Sequence, residues 1–167
     1  MQRDLFERFL PESQRRKVLG PDIRADALLA LSGDPAHGKN LFAAICAACH
    51  HAGDAGINFG PDLTHIASKY ARPVLLEQIL QPAKIIEPQW HLATVSLKGG
   101  ESLSGFIAER TDAGITLKLA GGESRKIPAE KIDKTTTAAV SLMPEGLLQN
   151  LTAQEAADLL AFVSSLK

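Results

Sequence analysis

The chain has 167 residues, 45% hydrophobic and 22% charged, and its eighteen basic and nineteen acidic side chains leave a net charge of −1. That balance gives no electrostatic footprint for nucleic acid and no long-range steering of a charged partner. No run of eighteen apolar residues exists, so no membrane span is expected, and aromatics are scarce at 5%, which leaves core surface for a large flat prosthetic group to supply.

Taken in chain order, residues 1–10 alternate charge and bulk and lack the apolar stretch of a signal peptide. Leu5, Phe6, Phe9 and Leu10 share one face of a predicted helix that Pro11 stops. Pro21-Asp22 opens another, with Ile23, Ala27, Leu28 and Leu31 inward and Gly33 just past its C-cap. Residues 1–33 therefore read as an N-terminal helical extension. Asp34-Pro35 is an N-cap followed by proline at the first helical position. The helix it starts, through Gly38, Leu41, Phe42 and Ile45, runs into Cys46.

Cys46-Ala47-Ala48-Cys49-His50 carries the chemistry. A Cys-x-x-Cys-His segment reads as a covalent c-type haem attachment site. Two thiols on one helical turn each add to a haem vinyl group, and the next imidazole is held under the iron as an axial ligand. These are the only two cysteines. Three other readings use the same residues. A thioredoxin-like redox pair needs a βαβ context, whereas the surroundings are Ala-rich and helical. A zinc site completed by His50, His51 or His65 lacks a second ligand pair at finger-like spacing. A disulfide fits a short helical Cys-x-x-Cys poorly. One haem c (iron) per chain, covalently attached, is the expected cofactor. Since c-type attachment takes place outside the bacterial cytoplasm, a periplasmic or other extracytoplasmic location is expected, with this chain a mature fragment or domain of a longer protein.

Glycines 53, 56 and 60 follow, and Gly60-Pro61-Asp62-Leu63 is a loop turning into a short helix. Residues 73–80 form a further helix ended by Gln81-Pro82. From about Trp90 the period becomes two. Strands over 91–97, 103–108, 115–119 and 125–128 are separated by turns at Lys98-Gly99-Gly100-Glu101, Asp112-Ala113-Gly114 and Gly121-Gly122, the pattern of an antiparallel meander. Lys98, Lys118, Arg125, Lys126 and Lys131 tint this block basic, but Glu101, Glu109, Glu123 and Glu130 offset them, giving a solvated face. Thr152-Ala153-Gln154-Glu155 is a capping box opening a last helix with Ala156, Leu159, Leu160, Phe162 and Val163 on its apolar side. The order helices, strands, helix describes a mainly α chain. A helical domain over 34–89 and 138–167 is interrupted by a β subdomain over 90–137. An insertion whose ends lie close together is expected to be removable at a loop-closure cost of about 1 kcal/mol or less.

An iron held by His50 has one face left for a methionine, a second histidine or an exogenous molecule. Met143, in Ser141-Leu142-Met143-Pro144-Glu145-Gly146, is the only methionine besides Met1. A lone methionine is otherwise core filler, which suits a helix face better than a Pro-flanked loop. His65 and His91 are the rival ligands.

These residues resemble class I c-type cytochromes. Gly38-x-x-Leu41-Phe42 is similar to their N-terminal helix, residues 46–50 to their haem motif, Leu142-Met143-Pro144 to their distal loop and Leu159-Leu160-Ala161-Phe162 to their C-terminal helix. The resemblance implies that the carbonyl of Pro61 accepts a hydrogen bond from His50, that Met143 is the distal iron ligand and that Phe42 packs against Phe162. More narrowly, residues 141–147 and the inserted strands resemble the haem-binding domain at the C-terminal end of large planctomycete and verrucomicrobial proteins, over about residues 25–167. The strands also resemble an SH3-like or Sm-like small barrel. The implied fold is the class I cytochrome c helical fold with that insertion. The implied function is one-electron transfer by a non-enzymatic domain, with His50 and Met143 on the iron and a redox partner protein or fused dehydrogenase domain as partner. A haem-based sensor or small-gas binder with a displaceable Met143 is the alternative.

Overall fold

The computed structural model describes residues 9–11 and 14–167. Leu5 and Phe6, expected on a first helical face, lie outside the described residues, and Phe9 and Leu10 are exposed. Helices α1 (Ala25–Leu29), α2 (Pro35–Ile45), α3 (Ile66–Lys69) and α4 (Arg72–Leu80) precede strands β1 (Leu92–Leu97), β2 (Ser102–Thr111), β3 (Gly114–Lys118), β4 (Ser124–Pro128) and β5 (Ile132–Ala138). Helix α5 (Ala153–Val163) comes last.

The termini of the two long helices follow from their caps. The Asp34 carboxylate accepts from the Ala36 amide at 2.9 Å, and Pro35 occupies a position whose N–H would have no helical partner. At α5 the Thr152 hydroxyl accepts from the Glu155 amide at 3.2 Å while the Glu155 carboxylate accepts from the Thr152 amide at 2.8 Å. These helices cross tightly. A Cβ on Gly33 would stand 2.2 Å from the Ala157 carbonyl oxygen, and one on Gly38 would stand 2.0 Å from that of Asp158. Phe42 meets Phe162 beside the crossing, ring centroids 5.3 Å apart. Leu28, Leu41, Phe42, Leu75, Leu76, Leu148, Leu151, Leu159 and Leu160 form one core around it.

The expected N-terminal extension is anchored in that core. Leu28 of α1 is 1% exposed, and the Arg72 guanidinium donates to the carbonyls of Leu29 and Leu31, both at 2.8 Å. The Leu19 and Gly20 amides donate to the carbonyls of Leu151 and Gln149. Two local expectations are corrected. Ala27 is exposed because α1 is only five residues long, and Gly33 serves the approach to α5 rather than the end of α1.

The five strands form one antiparallel sheet in the order β4-β3-β2-β1-β5. The ten-residue β2 serves both halves. Its first part, through Gly105, pairs with β1, and from Phe106 it pairs with β3. Gly105 permits the change of partner, since a Cβ there would lie 2.1 Å from the Lys118 carbonyl oxygen. Ala93, Val95, Ile115, Leu117 and Ile127 make a second core beneath the sheet. The mainly α fold class is thereby corrected: helix accounts for 31% of the structure and strand for 24%. The helix expected from Pro21-Asp22 through Leu31 shrinks to the five residues of α1, while β2 runs three residues past its expected end and a fifth strand, β5, forms through the β-branched Thr135-Thr136-Thr137.

Candidate functional site

Helix α2 hands its last turn directly to the cysteines. The amides of Cys49 and His50 both donate to the Cys46 carbonyl, at 3.0 and 2.9 Å, so the motif is one further helical turn. Both thiols are free, Cys46 half-buried and Cys49 exposed, and the disulfide reading is not realised. Burial, with a smaller contribution from Cys49, pushes the Cys46 thiol up to about 12. A redox-active pair needs a stabilised thiolate, the opposite environment. Among the described residues no group of three or more His, Cys, Asp or Glu side chains is gathered as a metal ion would require.

The chain then folds back over this turn. The Ile57 amide donates to the Ala47 carbonyl at 2.8 Å, and the amides of Phe59 and Gly60 donate to that of Cys49 at 3.2 and 2.7 Å. Glycine is required once here, at Gly56, and Gly60 makes a second close approach. Gly56 has φ +93°, and a Cβ on it would lie 2.0 Å from the His50 carbonyl oxygen. A Cβ on Gly60 would stand 3.2 Å from Cε1 of the His50 ring. The return is zipped further along: His51 meets the Asp62 carboxylate at 3.3 Å, and the Gly53 amide donates to the Thr64 hydroxyl at 3.0 Å. The Thr64 hydroxyl and amide hold the Asp62 carboxyl below its ordinary range.

This fold-back places Pro61. Nδ1 of His50 and the Pro61 carbonyl oxygen are 2.8 Å apart. A carbonyl only accepts, so Nδ1 carries the proton and Nε2 presents its lone pair. Burial lowers the His50 pKa, against an opposing effect of the Pro61 bond, and favours the neutral imidazole that a metal takes. Cys46, Cys49, His50 and Pro61 are thus gathered by backbone hydrogen bonds. Met143 is half-buried in the segment between β5 and α5, where its backbone exchanges hydrogen bonds with the Ser141 hydroxyl at 3.2 and 3.3 Å. Its bonds tie it to Ser141, not to those four residues. His65 is exposed and His91 half-buried at the start of β1.

A sequence model of the cytochrome c family matches residues 35–100. The match supports a c-type cytochrome. Cytochrome c domains act generally in haem-based electron transfer rather than as enzymes, carry covalently bound haem c, and typically stand outside the cytoplasm. No curated protein matches the chain. Among the described residues, no helix is long and apolar enough to cross a membrane.

The residues fit the haem that a c-type cytochrome carries. Two free thiols stand on one turn with an imidazole whose tautomer and orientation are already set. Sequence reasoning missed Phe59, buried at 6% exposure between this loop and the sheet, and Asp158. The Asp158 carboxylate, 4% exposed, accepts from the Asp34 amide, His37 and Gln154, each at 2.8 Å. An aspartate amid the apolar residues of α5 was the available signal.

Proposed function

We propose that this chain transfers single electrons through one haem c bound by thioethers to Cys46 and Cys49, with His50 and Met143 as axial ligands. It does so as a domain of a larger redox protein outside the cytoplasm, of the planctomycete and verrucomicrobial type. The observation that carries the reading is the His50–Pro61 hydrogen bond on the two-cysteine turn, which orients one basic nitrogen before any ligand is needed. Bound there, the haem supplies a one-electron Fe(III)/Fe(II) couple. The two thiols fix the macrocycle, Pro61 holds the imidazole, and a Met143 thioether favours the reduced state and raises the potential. Two permanent protein ligands leave no position for substrate, which suits electron transfer better than catalysis. With a net charge of −1, a redox partner is better reached through a tether, such as a fused dehydrogenase domain, than through charge steering.

The test is chemical. Haem should stay with the denatured wild-type chain and add to its mass, and Cys46→Ala with Cys49→Ala should release it to acid acetone. Freely extractable wild-type haem would sink the reading. The reduced protein should also leave added CO unbound; prompt CO binding would mean Met143 is displaceable and make the chain a sensor or gas binder.

A further inference from the structure

Three consecutive residues of the loop that returns over the haem motif are gripped by the sheet. Ile57 lies against Gly122 in the turn before β4, where a Cβ would come within 2.6 Å of the isoleucine Cγ2. The Asn58 side-chain oxygen accepts from Lys118 of β3 at 2.9 Å. The Phe59 ring packs tilted against Phe106 of β2, centroids 4.9 Å apart, and Phe106 in turn meets Trp90 edge-on at 5.3 Å. Phe59 and Phe106 are each 6% exposed, so this contact is a small core of its own. On its opposite side the same segment gives its backbone to the motif, through the Ile57, Phe59 and Gly60 amides. Residues 57–60 are therefore a layer between the two-cysteine turn and the sheet, and Gly60-Pro61 follows without a break.

We infer that the β sheet is a clamp for the axial histidine: Phe106, supported by Trp90 and Lys118, acts as a positioning residue that holds residues 57–59. It thereby keeps the Pro61 carbonyl on Nδ1 of His50. The inference rests on reading His50 as an iron ligand. A hydrogen bond survives only if both partners are held against thermal motion, and a loop loses that order unless apolar contacts offset its entropy. The Phe59–Phe106 contact is the large apolar surface available to this loop, and the sheet supplies half of it. The strands would in this way set how strongly the imidazole donates to iron, without touching it.

The experiment compares Phe106→Ala, Phe106→Leu and Ile127→Ala in the haem-loaded chain. Ile127 is buried in the sheet's own core, away from the loop contacts. Hydrogen exchange is followed at the Phe59 and Gly60 amides and at Nδ1–H of His50 in the reduced protein, together with the midpoint potential. Phe106→Ala should speed exchange at all three sites by about tenfold or more and move the potential. Phe106→Leu should recover most of both effects, and Ile127→Ala should change neither while lowering the thermal midpoint. The clamp is wrong if Phe106→Ala leaves the three protons as slow as in wild type, or if Ile127→Ala releases them equally. Should Phe106→Ala not fold, Phe106→Val decides, since it trims the same ring contact: faster Phe59 and Gly60 exchange supports the clamp and unchanged exchange overturns it. Freely extractable haem in the wild type would instead fail the electron-transfer reading, and exchange at the two amides would still judge the clamp.

Discussion

The two segments proposed to supply the iron ligands are built differently. Around His50, residues 46–64 are crossed by backbone hydrogen bonds, pinned at Gly56, which admits no side chain, and backed by a buried phenylalanine. Around Met143, residues 139–147 hold themselves mainly by local turns, with Val140 and Leu142 in solvent at 51% and 41% exposure. The histidine is placed by the fold, while the methionine sits on a segment with few ties of its own. The proposed histidine ligand is therefore preorganised, while the proposed methionine ligand is held less by its own segment.

The sharpest way to break this comparison is Phe59→Ala. Removing a buried ring that links the proximal loop to the sheet should cost about 3–5 kcal/mol, read from denaturant midpoints. A loss below 1 kcal/mol would mean the loop is not held by its packing. The same contact revises the expectation that residues 90–134 can be excised at little cost: a Gly/Ser linker there strips Phe59 of Phe106 and Trp90, so the deletion should fold poorly, seen as lost helical circular dichroism.

Next in size is Gly56→Ala, which combines a positive φ with a backbone collision against His50. It should destabilise by about 1–3 kcal/mol and reduce haem loading in proportion. Met143→Ala should do the reverse: a change in stability within about 1 kcal/mol, but loss of the far-red sulfur-to-iron band, a lowered potential and ready CO binding. An unchanged spectrum would move the ligand to His65, His91 or water. A stability loss as large as that of Phe59→Ala would erase the contrast between the two sides.

The smallest effect is one of pH, at a pair outside both segments. Burial pushes the Asp158 carboxyl up, but the bonds from His37, the Asp34 amide and Gln154 outweigh it and its pKa falls below 3.8. The bond to Asp158 raises His37 above 6.5, with Glu155 and Asp34 adding to the attraction. A lowered acid stabilises above its unfolded value and is lost as pH falls through its folded value; a raised histidine stabilises below its unfolded value and is lost as pH rises through its folded one. The pair should therefore contribute most between pH 3.8 and 6.5. His37→Gln should flatten the loss of stability on the alkaline side. A wild-type slope retained in that variant would assign the dependence elsewhere.

The local elements around the candidate site were legible along the chain because near neighbours set them. The Cys-x-x-Cys-His spacing, the Asp34-Pro35 helix start, the Thr152 to Glu155 capping box and the glycine turns between strands each act over a few residues, where sequence distance and spatial distance agree. Helix content was overestimated in part because the short apolar stretch of α1 carries helical patterning without the length to extend it. Tertiary structure alone decided three things: that Phe59 would find Phe106, that Asp158 would close on His37 and the start of α2, and that the glycines at 33 and 38 would face α5. Each joins residues far apart in the chain, and a residue's type states what it needs buried or paired but not which distant partner the packing will bring.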